Sequence, residues 1–404
     1  MDQTKSYLPP QKILAKYADV LVNFALNSGA GLKKDEVVEC VVPDVAKPLA
    51  LELQNAILKA GGQPMMRLAP TLFSRDFYTL ANDKQLTFFP EKYLRAKAGL
   101  IDHAISIIAE VNPKELKDID SEKIMKSRAA QYPFREWLFE KERQGEFSWT
   151  AAMWGTEAKA AIVGLTIEQY WQQIIQACYL DQADPISEWR ALARQQNKIK
   201  NKLNSLSIEF LRVEGEDVNL RVQLGPNRAW KTGGGSNIPS FEHFTSPDWR
   251  GTEGWIRFNQ PLYRYGNILS GIELHFAKGV VTQATAKQGE KVLKSMLASA
   301  NANKLGEFSL TDKKFSRITH PMAETLFDEN IGGPYGNTHI AVGMAYKDCY
   351  KGDPSQVTDQ EWKKMGYNNS PVHTDMVSTV NRTVTAELTD GSEIIIYKDG
   401  SFTI

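Results

Sequence analysis

The sequence predicts an α/β N-terminal domain with a mostly parallel sheet, followed by a mainly β (α+β) C-terminal domain. In the first third of the chain, short apolar strands alternate with helices, and parallel strands need such crossover connections between them. After about residue 206, the chain becomes rich in Gly, Thr and short β-like runs. Its 404 residues are enough for two or three domains of roughly 100 to 200 residues each.

The elements of the first domain follow from apolar periodicity. Apolar residues at three- and four-residue steps predict a helix that begins at Pro10 and ends near Gly29. The other predicted elements are, in order, a strand at 36–42, a helix at 45–60 closed by Gly61 and Gly62, a strand at 63–68, helical segments broken near Pro90, and strands at 104–109 and 148–153. We expect these strands to form one sheet with helices on its faces.

Phosphate-binding loops are the motif to look for in such a domain. The turns after the first two predicted strands contain Pro43-Asp44-Val45 and Leu68-Ala69-Pro70, with neither GxGxxG nor GxxxxGK[ST]. We therefore expect no nucleotide cofactor in this half of the chain.

A long helix with several basic residues is predicted at 186–206, and we interpret it as a connector between the domains. Its charges are typical of a solvated face, with a nucleic-acid patch as the alternative. The predicted domains are therefore 1–185 and 207–404. Within the second, the sequence predicts a hairpin over 207–224, strands at 271–276, 279–284 and 393–397, and one helix at 287–302.

Composition and charge favour a cytoplasmic protein that binds neither nucleic acid nor membranes. The 48 basic and 48 acidic side chains cancel, which leaves no overall attraction for a phosphate backbone. No run approaches the roughly 18 to 20 apolar residues of a membrane span, and residues 1–10 lack the pattern of a secretory signal. Three widely spaced cysteines predict neither a disulfide framework nor a thiolate zinc site, and they fit a reducing compartment.

Candidate ligands for a metal ion lie in the second half. His373 and Asp375 are two residues apart, so on a strand they point to the same side. Glu242 and Glu307 stand in apolar or turn segments, where burial is costly unless a cation or a donor pairs with the carboxylate. Imidazole and carboxylate together suit Zn²⁺, Co²⁺ or Mn²⁺. Taken singly, each of these residues also has a plain structural interpretation, as an exposed carboxylate or a partly buried histidine.

Six short motifs follow one another in the second half: NIPSFEHFTSP (237–247), TEG (252–254), LGE (305–307), LFDEN (326–330), THIAVGMAY (338–346) and VHTDM (372–376). In this order they resemble the metal-dependent aminopeptidase family of aminopeptidase T, aminopeptidase S and PepS, the thermophilic-type leucyl aminopeptidases. The resemblance is dense from about Leu211 to Ile404 and only general before that. The GGPYGN segment before His339 and the residue Phe241 depart from the family pattern.

The resemblance implies an exopeptidase that removes N-terminal amino acids from peptides, works as a homodimer, and activates water with two divalent ions, Zn²⁺, Co²⁺ or Mn²⁺, with Mg²⁺ also possible. The metal ligands that it implies are Glu242, Glu307, His339, His373 and Asp375. It also places Tyr346 in the active site, where the hydroxyl would stabilise the tetrahedral oxygen. For Glu253 we hypothesise a role as general base or as a residue that orients one.

Several residues near these motifs are not assigned as ligands. Asp328 and Glu329 are interpreted as structural or supporting residues because the DEN sequence is also ordinary turn chemistry. His243 and His320 match no family ligand, and on a strand His243 would face away from Glu242.

Two other functions are compatible with the same ligand types. A phosphoesterase also uses carboxylate and histidine ligands for two metal ions, and a catalytically inactive protein would bind peptides without cleaving them. Phosphoester substrates call for cations near the site, and the candidate segments supply few besides Arg250 and Lys304. Peptide substrates are therefore preferred.

Overall fold

The structure, a computed structural model, describes residues 7–264 and 266–404. Residues 1–6, which belong to the segment predicted to lack a secretory signal, lie outside the described part. The chain forms two compact units, Met1–Ala191 with Gly234–Pro239, and Leu192–Gly233 with Ser240–Ile404. The division falls within the long helix Pro185–Ser205, close to the 186–206 predicted from the sequence. In the described part of the chain, no helix is both long enough and apolar enough to cross a membrane.

A five-stranded sheet organises the first unit, and all of its neighbouring strands run parallel. Val38, Cys40 and Val42 of β1 are fully buried, as expected for a parallel sheet covered by helices. The order across the sheet is β2 (Gln63–Ala69), β1 (Val37–Pro43), β3 (His103–Ile108), β4 (Ser148–Met153) and β8 (Asn237–Ile238). The predicted α/β class is confirmed.

The first unit contains the helices predicted at 10–29 and 45–60, together with helices between 121 and 177 that the sequence analysis did not predict. Gly61 ends α3 in the left-handed region, with a φ of 83°, and its N–H bonds back to the last turn. The α-helices are α1 (Gln11–Val20), α2 (Leu26–Gly29), α3 (Lys47–Ala60), α4 (Ser74–Leu80), α5 (Asp83–Leu86), α6 (Glu91–Leu100), α7 (Ser121–Arg143), α8 (Glu157–Ile162), α9 (Ile167–Ala177) and α10 (Pro185–Ser205), the last shared with the second unit.

The second unit is built from antiparallel strands, which confirms its predicted mainly β class. The first of its two larger sheets has the order β14-β13-β10-β6-β5-β18-β19-β20 and the second β17-β16-β15-β9-β7, while β11 and β12 pair with each other. The strands are β5 (Ile208–Gly215), β6 (Val218–Gln223), β7 (Lys231–Thr232), β9 (Glu242–Thr245), β10 (Glu253–Arg257), β11 (Leu262–Arg264), β12 (Asn267–Leu269), β13 (Glu273–Ala277), β14 (Val280–Thr285), β15 (Leu305–Thr311), β16 (Asn337–Gly343), β17 (His373–Ser378), β18 (Arg382–Leu388), β19 (Glu393–Lys398) and β20 (Ser401–Phe402).

Helices play a small part in the second unit. Besides the shared helix α10, they are α11 (Glu290–Leu297), α12 (Thr325–Asp328) and α13 (Asp359–Lys364). The helix predicted at 287–302 is therefore shorter than expected. Gly289, with a φ of 79°, immediately precedes α11, and a left-handed residue cannot continue a right-handed helix.

One hydrophobic core joins the two larger sheets of the second unit. The eight-stranded sheet contributes residues such as Leu211 and Leu220, and the five-stranded sheet contributes Phe308, Leu310 and Ile340. Because successive side chains of a strand point to opposite faces, this packing leaves every other residue of β15 and β16 on the second face of the five-stranded sheet. The candidate ligands lie on that second face.

Candidate metal centre

In the second unit, the register of the five-stranded sheet β17-β16-β15-β9-β7 places the candidate ligands on one face. Glu242 of β9 lies opposite Thr311 of β15, two residues along the strand from Ser309. Glu307 of β15 lies opposite Ala341 of β16, and Ala341 lies opposite Asp375 of β17. Four neighbouring strands therefore bring together residues that are up to 133 positions apart in the chain (375 − 242 = 133).

The first group of ligand atoms comes from Glu242, Glu307 and His339, all three of which are buried. His339 Nε2 lies 3.1 Å from Glu307 Oε1 and 3.3 Å from Glu242 Oε2. The three ligand atoms lie within 4.8 Å of one another. Two carboxylates and one imidazole at these distances could hold one metal ion.

The second group comes from Glu307, His373 and Asp375. His373 Nε2 lies 3.2 Å from Asp375 Oδ1 and 3.6 Å from Glu307 Oε2. Glu307 thus belongs to both groups and directs one carboxylate oxygen towards each. A shared carboxylate of this kind is what a bridge between two ions requires.

Small residues on the same face leave room above the sheet. In β16, Ala341 and Gly343 share the face of His339 and lie opposite Asp375 and His373. Gly343 has a φ of 104°, and a Cβ built there would lie 2.0 Å from the carbonyl oxygen of Val372. A larger residue at this position would distort the strand that carries His373.

A hydrogen bond orients His373. Its Nδ1 lies 2.8 Å from the carbonyl oxygen of Met344, so this nitrogen carries the proton and Nε2 is directed towards Glu307 and Asp375. A backbone acceptor on the far nitrogen is the usual support of a metal-binding imidazole, because it fixes the tautomer and the ring orientation.

The buried charges of the two groups perturb one another. Burial, reinforced by the charge of Glu242, raises the pKa of Glu307 to about 7. Burial alone would lower the pKa of His373, but Asp375 and Glu307 raise it to about 9. In the same way burial opposes ionisation of Asp375, and the neighbouring His373 nevertheless lowers its pKa to about 2. Carboxylates crowded together away from water need compensating cations, so this donor set fits divalent metal ions.

Tyr346 lies at the edge of this cluster. Its ring centre is 4.8 Å from that of His373, and its N–H donates to Ser246 Oγ at 2.8 Å. Burial, together with the charges of Glu307 and Asp375, raises the pKa of Tyr346 well above its usual value. The hydroxyl therefore keeps its proton and can donate a hydrogen bond.

A family model described as thermophilic metalloprotease (M29) matches residues 10–402. The chain belongs to this family.

Named relatives support the same assignment. This M29 chain is 29% identical to aminopeptidase T of Thermus aquaticus over 80% of the chain and 84% of that protein. It is 31% identical to aminopeptidase PepS of Streptococcus thermophilus over 59% of each chain, and 25% identical to aminopeptidase AmpS of Bacillus subtilis over 96% of this chain and 98% of that one. Family and relatives confirm the predicted enzyme class, a metal-dependent aminopeptidase.

A solved structure shares the fold. Wild-type AmpT from Thermus thermophilus superposes with a TM-score of 0.83 at 24% sequence identity, and the match covers 98% of this chain and all of that one. The predicted combination of an α/β part and a mainly β part is therefore the fold of this M29 relative.

The structure does not place Glu253 among the candidate metal ligands. Glu253 lies on β10 of the eight-stranded sheet, where it pairs with Arg221 of β6. Its side chain is exposed and accepts a hydrogen bond from the N–H of Lys278 at 2.6 Å. The role of Glu253 as general base or as a residue that orients one therefore stays a prediction, without support from its position.

Glu329, interpreted from the sequence as a structural or supporting residue, is buried in the structure. Burial, followed by the charges of Glu242 and Asp375, raises its pKa well above the usual value. Glu329 also lines the same small cavity as Asp375. Its neighbour Asp328 is structural, since it accepts hydrogen bonds from the N–H groups of Met322 at 2.6 Å and Glu324 at 3.0 Å. The LFDEN motif contained the signal, but not which of its two carboxylates enters the site.

His243 packs away from the ligands. Its Nε2 forms a hydrogen bond with the carbonyl oxygen of Gln196 at 3.0 Å, and the centre of its ring lies 4.8 Å from that of Phe402. Burial lowers its pKa to about 4, so the ring is neutral. The prediction that His243 faces away from Glu242 agrees with the register, which sets it opposite Leu310 of the core.

Proposed function

We propose that this chain is a two-metal aminopeptidase that hydrolyses the N-terminal peptide bond of peptides. The observation that carries the proposal is the position of Glu307, whose two oxygens point to separate ligand groups. One ion would be held by Glu242, Glu307 and His339, and the other by Glu307, His373 and Asp375. We assign Glu329 as a further carboxylate donor because it is buried and lines the same cavity as Asp375.

The ions, when bound, supply Lewis acidity to the scissile carbonyl and lower the pKa of an attacking water molecule. The mixed oxygen and nitrogen donors suit Zn²⁺, Co²⁺ or Mn²⁺, and Mg²⁺ is the harder alternative. Tyr346 would donate its hydroxyl proton in a hydrogen bond to the oxygen that becomes negative in the transition state. The hydrogen bond from His373 Nδ1 to the carbonyl oxygen of Met344 would keep the imidazole ring in one orientation during the reaction.

Hydrolysis of leucyl-, arginyl- and tryptophyl-anilides tests this function. The protein is stripped with a chelator and supplied separately with Zn²⁺, Co²⁺, Mn²⁺ and Mg²⁺. We expect metal-dependent release of the N-terminal residue, its loss in Glu307→Gln, and its retention in Glu253→Gln, because Glu253 is exposed on the other sheet. No cleavage with any metal would contradict the proposal.

The family match favours peptides over the alternative substrates. An aryl phosphate, tested on the same metal-loaded samples, should not be cleaved. Phosphate release without anilide cleavage would favour the phosphoesterase alternative, and cleavage of neither would favour a peptide-binding protein.

We also propose that the chain forms a homodimer. The first unit exposes Phe73, Leu80 and Phe88 to 67%, 81% and 67%, around a cavity of about 610 Å³ that Phe77 also lines. Exposed apolar groups in one patch are typical of interaction surfaces. Light scattering should give the mass of two chains for the wild type and of one chain for the double variant Phe77→Glu, Leu80→Glu.

A cytoplasmic location is proposed from the cysteines. Cys40, Cys178 and Cys349 are all free and buried, and burial raises the pKa of Cys40 to about 12. Such thiols are chemically inert and fit a compartment in which disulfides are not formed. Cell fractionation with an antibody to the native protein tests this.

A further inference from the structure

Two serines hold the carboxylate of Glu242 from both sides, and we infer that Ser240 and Ser309 are positioning residues that preset it for its metal ion. This inference rests on the proposed two-metal function. Neither serine belongs to the predicted ligand set, and neither lies in either group of candidate ligand atoms.

Each carboxylate oxygen of Glu242 accepts one hydrogen bond from a serine hydroxyl. Ser309 Oγ donates to Oε2 at 3.0 Å, and Ser240 Oγ donates to Oε1 at 3.3 Å. Ser309 is fully buried and Ser240 is 4% exposed, so water does not compete for these bonds. Ser309 comes from β15 and lies opposite His339 of β16, whereas Ser240 precedes β9, so the two donors approach Glu242 from different segments.

Gly233 constrains the Ser240 hydroxyl. A Cβ built at Gly233 would lie 2.1 Å from Ser240 Oγ and 2.3 Å from Ser240 Cβ. Only a residue without a side chain therefore permits the Ser240 side chain to stay where it reaches Glu242. The backbone at 233 is thus part of the same arrangement.

The two bonds determine how Glu242 offers its remaining lone pairs. An ionised carboxylate has about four acceptor positions, and the hydroxyls occupy one on each oxygen. Rotation of the carboxylate about its last bond would break both bonds at once. Glu242 Oε2 lies 3.3 Å from His339 Nε2. The carboxylate is therefore already oriented before the metal ion binds. Loss of hydrogen bonds behind a metal ligand typically lowers metal affinity by 10- to 100-fold.

Calorimetric titration of the metal-free full-length protein with Zn²⁺ tests the inference independently of catalysis. The wild type should bind two ions, and Glu242→Gln identifies the binding event that depends on Glu242. Ser309→Ala should weaken that event about 10- to 100-fold and leave the other unchanged. Ser309→Thr, which keeps the hydroxyl, should restore it, and Gly233→Ala should weaken it because the new methyl group displaces Ser240.

Ser378→Ala is the matched control. Ser378 is fully buried on β17 of the same sheet, and its hydroxyl also donates to a carboxylate, Asp217 Oδ2, at 2.9 Å. Both zinc affinities should be unchanged in this variant. Equal affinities in Ser309→Ala and wild type, or an equal loss in Ser378→Ala, would overturn the inference. A wild type that binds fewer than two ions would instead refute the two-metal function on which it rests.

Discussion

Replacing Glu307 by Gln should stabilise the metal-free protein while it destroys the site. Burial and the charge of Glu242 raise the pKa of Glu307 from 4.5 to about 7 in the folded chain. The folded state therefore favours the protonated carboxyl group, and the stability that this gives is complete below pH 4.5 and is lost as the pH rises towards 7. A glutamine at 307 does not titrate and avoids this loss.

The size of the effect follows from the pKa difference. A difference of about 2.5 units corresponds to ~3 kcal/mol at 1.36 kcal/mol per unit once the group is fully ionised in both states. At pH 5 the unfolded carboxyl is only partly ionised, so the difference there is about 1 kcal/mol. The advantage of Glu307→Gln over the wild type should thus grow by about 2 kcal/mol between pH 5 and pH 8.

Urea unfolding of chelator-treated protein at the two pH values measures this difference. Added Zn²⁺ should reverse the order at pH 8, since only the wild type gains the free energy of metal binding. Glu253→Gln, a change of the same kind at an exposed position, should show neither effect. An advantage of Glu307→Gln that is the same at pH 5 and pH 8 would refute the reasoning, because it would not arise from ionisation.

Four other substitutions separate catalysis, metal binding and folding. Tyr346→Phe should lower kcat by about 100-fold or more with unchanged zinc stoichiometry, and unchanged turnover would show that its hydroxyl only packs. Glu329→Gln should weaken zinc binding in calorimetry, whereas Asp328→Asn should mainly lower the free energy of unfolding, by about 1 to 3 kcal/mol, because Asp328 accepts two backbone N–H groups; the reverse pattern would exchange their roles. Gly343→Ala should destabilise the fold by about 1 to 3 kcal/mol in thermal unfolding, and a wild-type Tm would contradict the predicted clash with Val372.

Local patterns in the sequence were enough for several helices and strands and for part of the site. The period of apolar residues predicted α1 and α3, and the strand predicted at 148–153 coincides with β4. The pairing of His373 with Asp375 also follows from local geometry, because residues two apart on one strand share a face. Such inferences succeed because they depend on the backbone of a single segment.

The meeting of distant segments was decided by the tertiary structure. Glu242, Glu307 and His339 form one group because β9, β15 and β16 are neighbours in a specific register, and the sequence carries no local record of that register. The resemblance to a family predicted these three residues as metal ligands, which the apolar periodicity did not.

Two other carboxylates show the same limit. Glu253 stands in a motif of the family, yet β10 belongs to the eight-stranded sheet and leaves it exposed. Glu329 stands in an ordinary turn sequence, yet the turn after α12 buries it at a cavity that Asp375 also lines. The sequence by itself determined the helices and strands with a regular apolar period and which side chains share a strand face. Only the tertiary structure decided which carboxylates lose contact with water and come within reach of one another, since burial and strand order are properties of the whole fold.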